Sequence, residues 1–304
     1  MEIYLPVAEM SVALETIIGL GVAVGMLSSI FGVGGGFLAT PFLVFLGVPA
    51  SFAVGTQAIQ LISSSLSGVL GHWRKGNVDF KLGSIMLAGS LVGTVLGILI
   101  FKLLQYTGQI DVVINALYVL LLGSIGGIML YESFKAILKK NHSSEAKRSR
   151  FWTKITHGLP YTMTFPRSNL CISIIVPIAL GVIGGLMVSV LGIGGGFLLV
   201  PAMIYILGMP SSLVIGTSMF QILVSTSLSA LLHIVSNNTV DLLLALILMI
   251  GSLIGGQIGV RLVKYIKGAP ARLALALILL SVCFMLWESL FIEPLEHFTT
   301  EIIG

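Results

Sequence analysis

Residues 31–41 read FGVGGGFLATP and residues 191–201 read LGIGGGFLLVP. Gly32, Gly34, Gly35, Gly36, Phe37, Leu38 and Pro41 recur as Gly192, Gly194, Gly195, Gly196, Phe197, Leu198 and Pro201. That match is too long for chance composition, so the chain carries an internal duplication. After a one-residue insertion, Thr56, Gln60, Ser64 and His72 answer to Thr217, Gln221, Ser225 and His233. A second shift aligns Asp79, Gly89, Ser90, Gly93 and Gly97 with Asp241, Gly251, Ser252, Gly255 and Gly259.

The medium in which the two copies fold is set by composition. Of 304 residues, 56% are apolar and 9% charged, and mean hydropathy is +1.08. The near-continuous apolar runs at 82–101, 112–131, 171–191, 242–260 and 273–287 are about the 17–25 residues that cross a hydrocarbon core. Because lipid offers the backbone no partner, such runs are helices, and they lack the alternation of barrel strands. The expectation is an all-α polytopic membrane protein built of two repeats, each of about five helical segments. In the first these are 11–31, 37–48, 52–72, 80–104 and 110–135; in the second, 171–191, 197–208, 212–233, 241–265 and 270–290. The second segment of each, directly after the glycines, is a short, broken helix that cannot cross alone at about 1.5 Å per residue.

Residues 1–138 thus form the first transmembrane repeat, 170–304 the second, and 139–169 a linker. The linker carries Lys139, Lys140, Lys147, Arg148, Arg150, Lys154 and Arg167 against Glu145 alone, which places it in the cytoplasm. Arg74, Lys75 and Lys81, and Arg261, Lys264, Lys267 and Arg272, then fall inside, whereas 105–110 and 234–240 are free of basic residues. Both termini fall outside, and the two repeats are expected to be inverted relative to one another. Residues 1–10 lack a basic n-region and read as a short exposed lead-in to a retained helix. Phe151, Trp152, Ile155 and Leu159 lie near one helical face, so the linker holds either an interfacial helix or an irregular basic loop. Cys171 and Cys283 are isolated and read as packing residues.

Glycines spaced by four, Gly89 with Gly93 and Gly97 and Gly251 with Gly255 and Gly259, are packing faces for close helices. The consecutive runs differ, because they break a helix, and a break at membrane depth requires cover from protein or a wet cavity. Each precedes a short helix, so backbone N–H groups of Gly34, Gly35, Gly36 and Phe37, and of Gly194, Gly195, Gly196 and Phe197, converge as an anion site or else form a tight turn between packed helices. Thr56, Gln60 and Ser64, and Thr217, Gln221 and Ser225, form polar stripes that either line a path or bond neighbouring helices. His72 and His233 end the stripes, as proton relays or as caps. No acid or base falls at the middle of a segment, and no nucleotide fingerprint, metal set or catalytic constellation emerges. The site would therefore recognise a small anion with amides and hydroxyls.

The paired G-[VI]-G-G-G-F-x(3)-P, followed by L-G-[VM]-P and [VI]-G-T, resembles the sulfite exporter TauE/SafE family of membrane transporters. The resemblance covers nearly all of the chain apart from the termini and linker. It implies a multi-pass protein of a prokaryotic cytoplasmic (inner) membrane that exports sulfite, sulfonates or related small anions. The expected function is secondary transport by alternating access, with an anion channel of the same polar lining as the alternative, and not enzymatic. The expected partners are a small anionic substrate and membrane lipid, with self-association open. Neither a cofactor, a metal nor nucleic acid is expected.

Overall fold

The computed structural model describes residues 2–5, 10–31, 35–138, 160–168, 170–237, 239–262 and 269–291. Ten helices dominate them. In the first half these are α1 (Leu14–Phe31), α2 (Gly36–Phe45), α3 (Ala50–Arg74), α4 (Phe80–Tyr106) and α5 (Ile110–Leu138). In the second they are α6 (Ile175–Leu191), α7 (Gly196–Ala202), α8 (Ser211–Leu232), α9 (Leu242–Leu262) and α10 (Ala269–Phe291). By length and apolarity, Phe80–Tyr106, Ile110–Lys135, Leu213–Asn237 and Leu242–Gly259 can each cross a membrane, and among the described residues four shorter apolar helices accompany them.

Local chemistry sets the boundaries. Pro49 and Pro210 precede α3 and α8 in extended conformations (ψ 140° and 132°), as the fixed proline φ favours at a helix entry. Asp79 caps α4 by accepting the Leu82 amide at 3.1 Å, and Asp241 does the same for the amides of Leu243 and Leu244 at 3.0 Å. The halves are not identical in detail. After Pro201 the second copy widens into a π-helical turn, Met203–Leu207, and α8 continues as another, His233–Asn237.

Two hairpins were not expected from hydropathy. β1 (Glu2–Leu5) pairs antiparallel with β2 (Met10–Ala13), and β3 (Thr162–Phe165) with β4 (Leu170–Ser173). Each runs directly into the first helix of its half, so the lead-in is strand and the helix expected from 171 begins at Ile175. Pro6 and Pro166, at the same spacing as Pro41 and Pro201, mark the hairpins as part of the repeat. β3–β4 is seated on the α3–α4 loop, where Ser168 donates to Asp79 at 2.5 Å and Arg167 to the Gly76 carbonyl at 2.9 Å. Phe165 and Ile172 are fully buried there with Leu82 and Met86. The interfacial stretch considered at 151–159 lies outside the described residues.

Helices pair across the halves rather than within them. α4 packs on α6 and α1 on α9, while α3 faces α8 and α5 faces α10. The first two pairs share one glycine mechanism. A Cβ at Gly89 or Gly93 would collide with the carbonyls of Ile178 and Val182, and one at Gly181 or Gly185 with those of Met86 and Ser90. The equivalent Gly251 and Gly255 meet the carbonyls of Ile18 and Val22, and Gly21 and Gly25 those of Leu248 and Ser252. Backbones approach this closely only where side chains are missing. α3 and α8 run antiparallel: Gly55, early in α3, lies against Thr239 beyond α8, and Gly216, early in α8, against Asn77 beyond α3.

Candidate functional site

The two glycine breaks meet between α3 and α8. Gly35 (φ +68°) and Gly195 (φ +69°) hold the N-cap positions of α2 and α7, neither with a side-chain cap. A left-handed φ favours glycine because any Cβ strains it. A Cβ on Gly36 would stand 2.6 Å from the Gly192 carbonyl oxygen, and Leu61 touches both Gly36 and Gly194. The rings of Phe37 and Phe197 stack with centroids 4.7 Å apart and planes 12° from parallel. Gly35, Gly36, Phe37, Gly194, Gly195, Gly196 and Phe197 are all buried, so protein covers the described part of both breaks. Gly34 lies outside the described residues.

Of the stripe residues, Gln221 reaches this crossing. Gln221 is buried, and its Nε2 lies 3.2 Å from where a Cβ would sit on Gly184, whose carbonyl lies 3.1 Å from the same position on Gly195. Gln221 therefore flanks the second break. Gln60 is buried and accepts a hydrogen bond from Gln57 Nε2. Ser225 pairs with Ser90 of α4, their hydroxyl oxygens 2.5 Å apart. Thr56 and Thr217 do something else: the Thr56 hydroxyl accepts the Asp241 amide and the Thr217 hydroxyl the Asp79 amide, each at 3.0 Å. These matched bonds tie α3 to the start of α9 and α8 to the start of α4. Ser64 is partly exposed, and its hydroxyl donates to its own helix at Leu61.

The two histidines have different surroundings. His233 is wholly buried, its Nε2 3.0 Å from the Ser189 carbonyl and its Nδ1 3.2 Å from Asn237 Nδ2 and 3.3 Å from Thr239 Oγ1. A carbonyl only accepts, so Nε2 carries the hydrogen and Nδ1 accepts. His72 is partly buried, and its Nδ1 is buried without a partner.

Several polar residues escape the every-fourth-residue reading. Gln57, Ser65, Ser218 and Thr226 are buried on α3 and α8, as are Thr40 on α2 and Thr94 on α4. Their signal was present as neighbours of the stripe, since a helix packed on several sides buries more than one row. Gln57 Oε1, Gln221 Oε1 and Thr94 Oγ1 are buried without hydrogen-bond partners. A cavity of about 320 Å³ opens elsewhere, between α1 and α2, lined by apolar residues such as Leu20, Leu38 and Phe42 and by none of the expected site residues. Among the described residues, no cluster of His, Cys, Asp or Glu could hold a metal ion.

The profile of the family described as Sulfite exporter TauE/SafE matches residues 17–286. A protein of Bacillus subtilis (strain 168) named "Probable membrane transporter protein YjnA" is 31% identical over 268 residues, covering 87% of this chain and 96% of its own. "Probable membrane transporter protein YunE" of the same organism is 28% identical over 284 residues, with coverage of 90% and 97%. An archaeal relative, "Probable membrane transporter protein MJ0441" of Methanocaldococcus jannaschii, is 26% identical over 289 residues, with coverage of 89% and 94%. No solved structure matches.

Proposed function

The chain belongs to the sulfite exporter TauE/SafE family, whose matched relatives are named as membrane transporters, and from that premise we propose that it exports sulfite or small organosulfonates across the cytoplasmic membrane by alternating access. The observation that carries the reading is the meeting of the two breaks, where Gly36 abuts Gly192 and Phe37 stacks on Phe197. Amides that precede the first intrahelical bond of α2 and α7 suit an oxyanion, and glycine lets it touch backbone. Gln221, buried at the second break with its Nε2 toward Gly184, adds a side-chain N–H donor to the amides. Gln60, Ser64 and Ser225 on the neighbouring turns complete the lining, and Thr56 and Thr217 at the outer ends hold the stripes in place through the Asp241 and Asp79 amides.

Antiparallel α3 and α8 support two inverted repeats, each crossing an odd number of times, with linker 139–169 inside and both termini outside. The packed crossing then represents a closed state, and rocking of one half on the other exposes it to either side in turn.

Proteoliposomes given sulfite, thiosulfate, sulfoacetate and sulfate test the proposal. Saturable sulfite or sulfoacetate flux, accelerated by the same anion on the far side, is the expected result. Ohmic single-channel currents would establish the channel alternative, and absence of flux for every sulfur anion would remove the substrate class.

A further inference from the structure

α8 and the π-helical turn that continues it carry a buried polar residue at every fourth position from Thr217: Thr217, Gln221, Ser225, Ser229 and His233. The row follows α4. Thr217 Oγ1 accepts the Asp79 amide at one end, the Ser225 and Ser90 hydroxyls are paired midway, and at the other end the His233 ring stands edge-on to Phe101 with centroids 4.6 Å apart. Thr94, one turn beyond Ser90 on the same face of α4, is buried as well. The hydroxyls of Thr94 and Ser229 and Oε1 of Gln221 are buried without a partner. An orphaned buried polar atom costs about 1–3 kcal/mol, which proteins avoid by placing ordered water against it.

The duplication supplies an internal control. The matching row on α3 is Thr56, Gln60, Ser64, Gly68 and His72, and Ser252 and Gly256 of α9 answer to Ser90 and Thr94. Glycine therefore stands where the second half has Ser229, and again where α4 has Thr94. Ser64 and Ser252 do not pair across the helices; each bonds its own helix, at Leu61 and Met249. The first half thus folds without the two hydroxyls, and the Cβ position of Gly68 there lies against Met219 of α8.

We infer that the seam between α4 and α8 holds a file of ordered water joining Gln221, Ser225 with Ser90, Thr94 and Ser229, and that this file conducts the protons that couple anion transport. The inference rests on the chain being an anion transporter. In each hop a water or hydroxyl accepts a proton on one lone pair and releases one of its own to the next oxygen, so no bond to carbon changes and no oxidant is needed. The groups facing His233 at the far end are Phe101 from α4, the Ser189 carbonyl from α6, and Asn237 and Thr239 from its own turn, with Asp241 two residues further. At the near end stands Asp79, bonded by Ser168.

Thr94→Val, Ser229→Ala and the double variant test the seam in proteoliposomes with radiolabelled sulfite. Accumulation driven by a pH gradient should fall at least about tenfold, while sulfite exchange at equal pH and concentration stays within about twofold, because exchange needs no net proton movement. Accumulation equal to wild type, an equal loss of both activities, or wild-type exchange that no pH gradient can drive would overturn the inference. If the wild type moves no sulfur anion, the transport reading fails separately, and a substrate-free structure in a lipid nanodisc at water-resolving resolution decides the seam. Water within hydrogen-bonding distance of Thr94 Oγ1 and Ser229 Oγ is expected; a dry seam refutes it.

Discussion

Gly35 and Gly195 combine two constraints that ordinary membrane glycines do not. Each has φ near +70°, and each is packed: a methyl on Gly35 would press on Ser28 and Val24, and one on Gly195 on Gly184 and Leu199. Replacement by alanine strains the backbone by about 1–2 kcal/mol before any contact is counted. Both a turn glycine and a ligand glycine therefore predict a lower Tm. They differ in what sulfite then does. If the amides bind the anion, purified Gly35→Ala and Gly195→Ala fold but lose sulfite-induced thermal stabilisation, reported through ligand concentration over Kd. Full stabilisation in both would leave the breaks as turns and move the anion elsewhere.

At the scale of the element, the same residue type has opposite consequences according to what its Cα faces. Gly93 of α4 lies against the Val182 carbonyl, so the methyl of Gly93→Ala forces α4 from α6 and should cost about 1–3 kcal/mol, as overpacking does. Gly127 of α5 has nothing within 4 Å of its Cβ position and is exposed. There alanine adds helix propensity, and Gly127→Ala should leave stability unchanged or raise it by up to about 1 kcal/mol. Thermal unfolding of the two variants in one detergent checks the contrast, and equal destabilisation would show that the α4–α6 contact is not set by its glycines. The spacing of four already marked Gly89, Gly93 and Gly97 as a packing face. It did not say which helix packs there, because the partner α6 lies in the other half.

The whole molecule is an exchange of partners: α1 lies on α9 and α6 on α4, so neither half closes its own core. Such an arrangement makes the halves fold as one unit and lets small rotations of one act on the other. Membrane orientation is the property at this scale that a solution experiment reads directly. With Cys171 and Cys283 replaced by serine, single cysteines at Lys75 and Val235, exposed beside the equivalent α3–α4 and α8–α9 connections, should react with an impermeant maleimide from opposite sides. Labelling from one side would mean that the repeats are parallel.

Hydropathy is a one-dimensional quantity, and what it controls was readable in the chain: the lipid solvent, the helical class and the short helix after each glycine run. The breaks were equally legible, since three consecutive glycines stop a helix whatever surrounds it. Tertiary structure decided the rest. Pairing across halves depends on glycine meeting a carbonyl of another helix, a distance between residues far apart in sequence. Which row of α3 faces inward, with Gln57 and Ser65 buried and Ser64 partly exposed, could not follow from periodicity, because apolar residues cover the lipid side as well as the core. The hairpins were hidden for a related reason. Four-residue strands have no span to detect, and they are held by partners such as Asp79 and Gly76, which adjoin them only once the chain has folded.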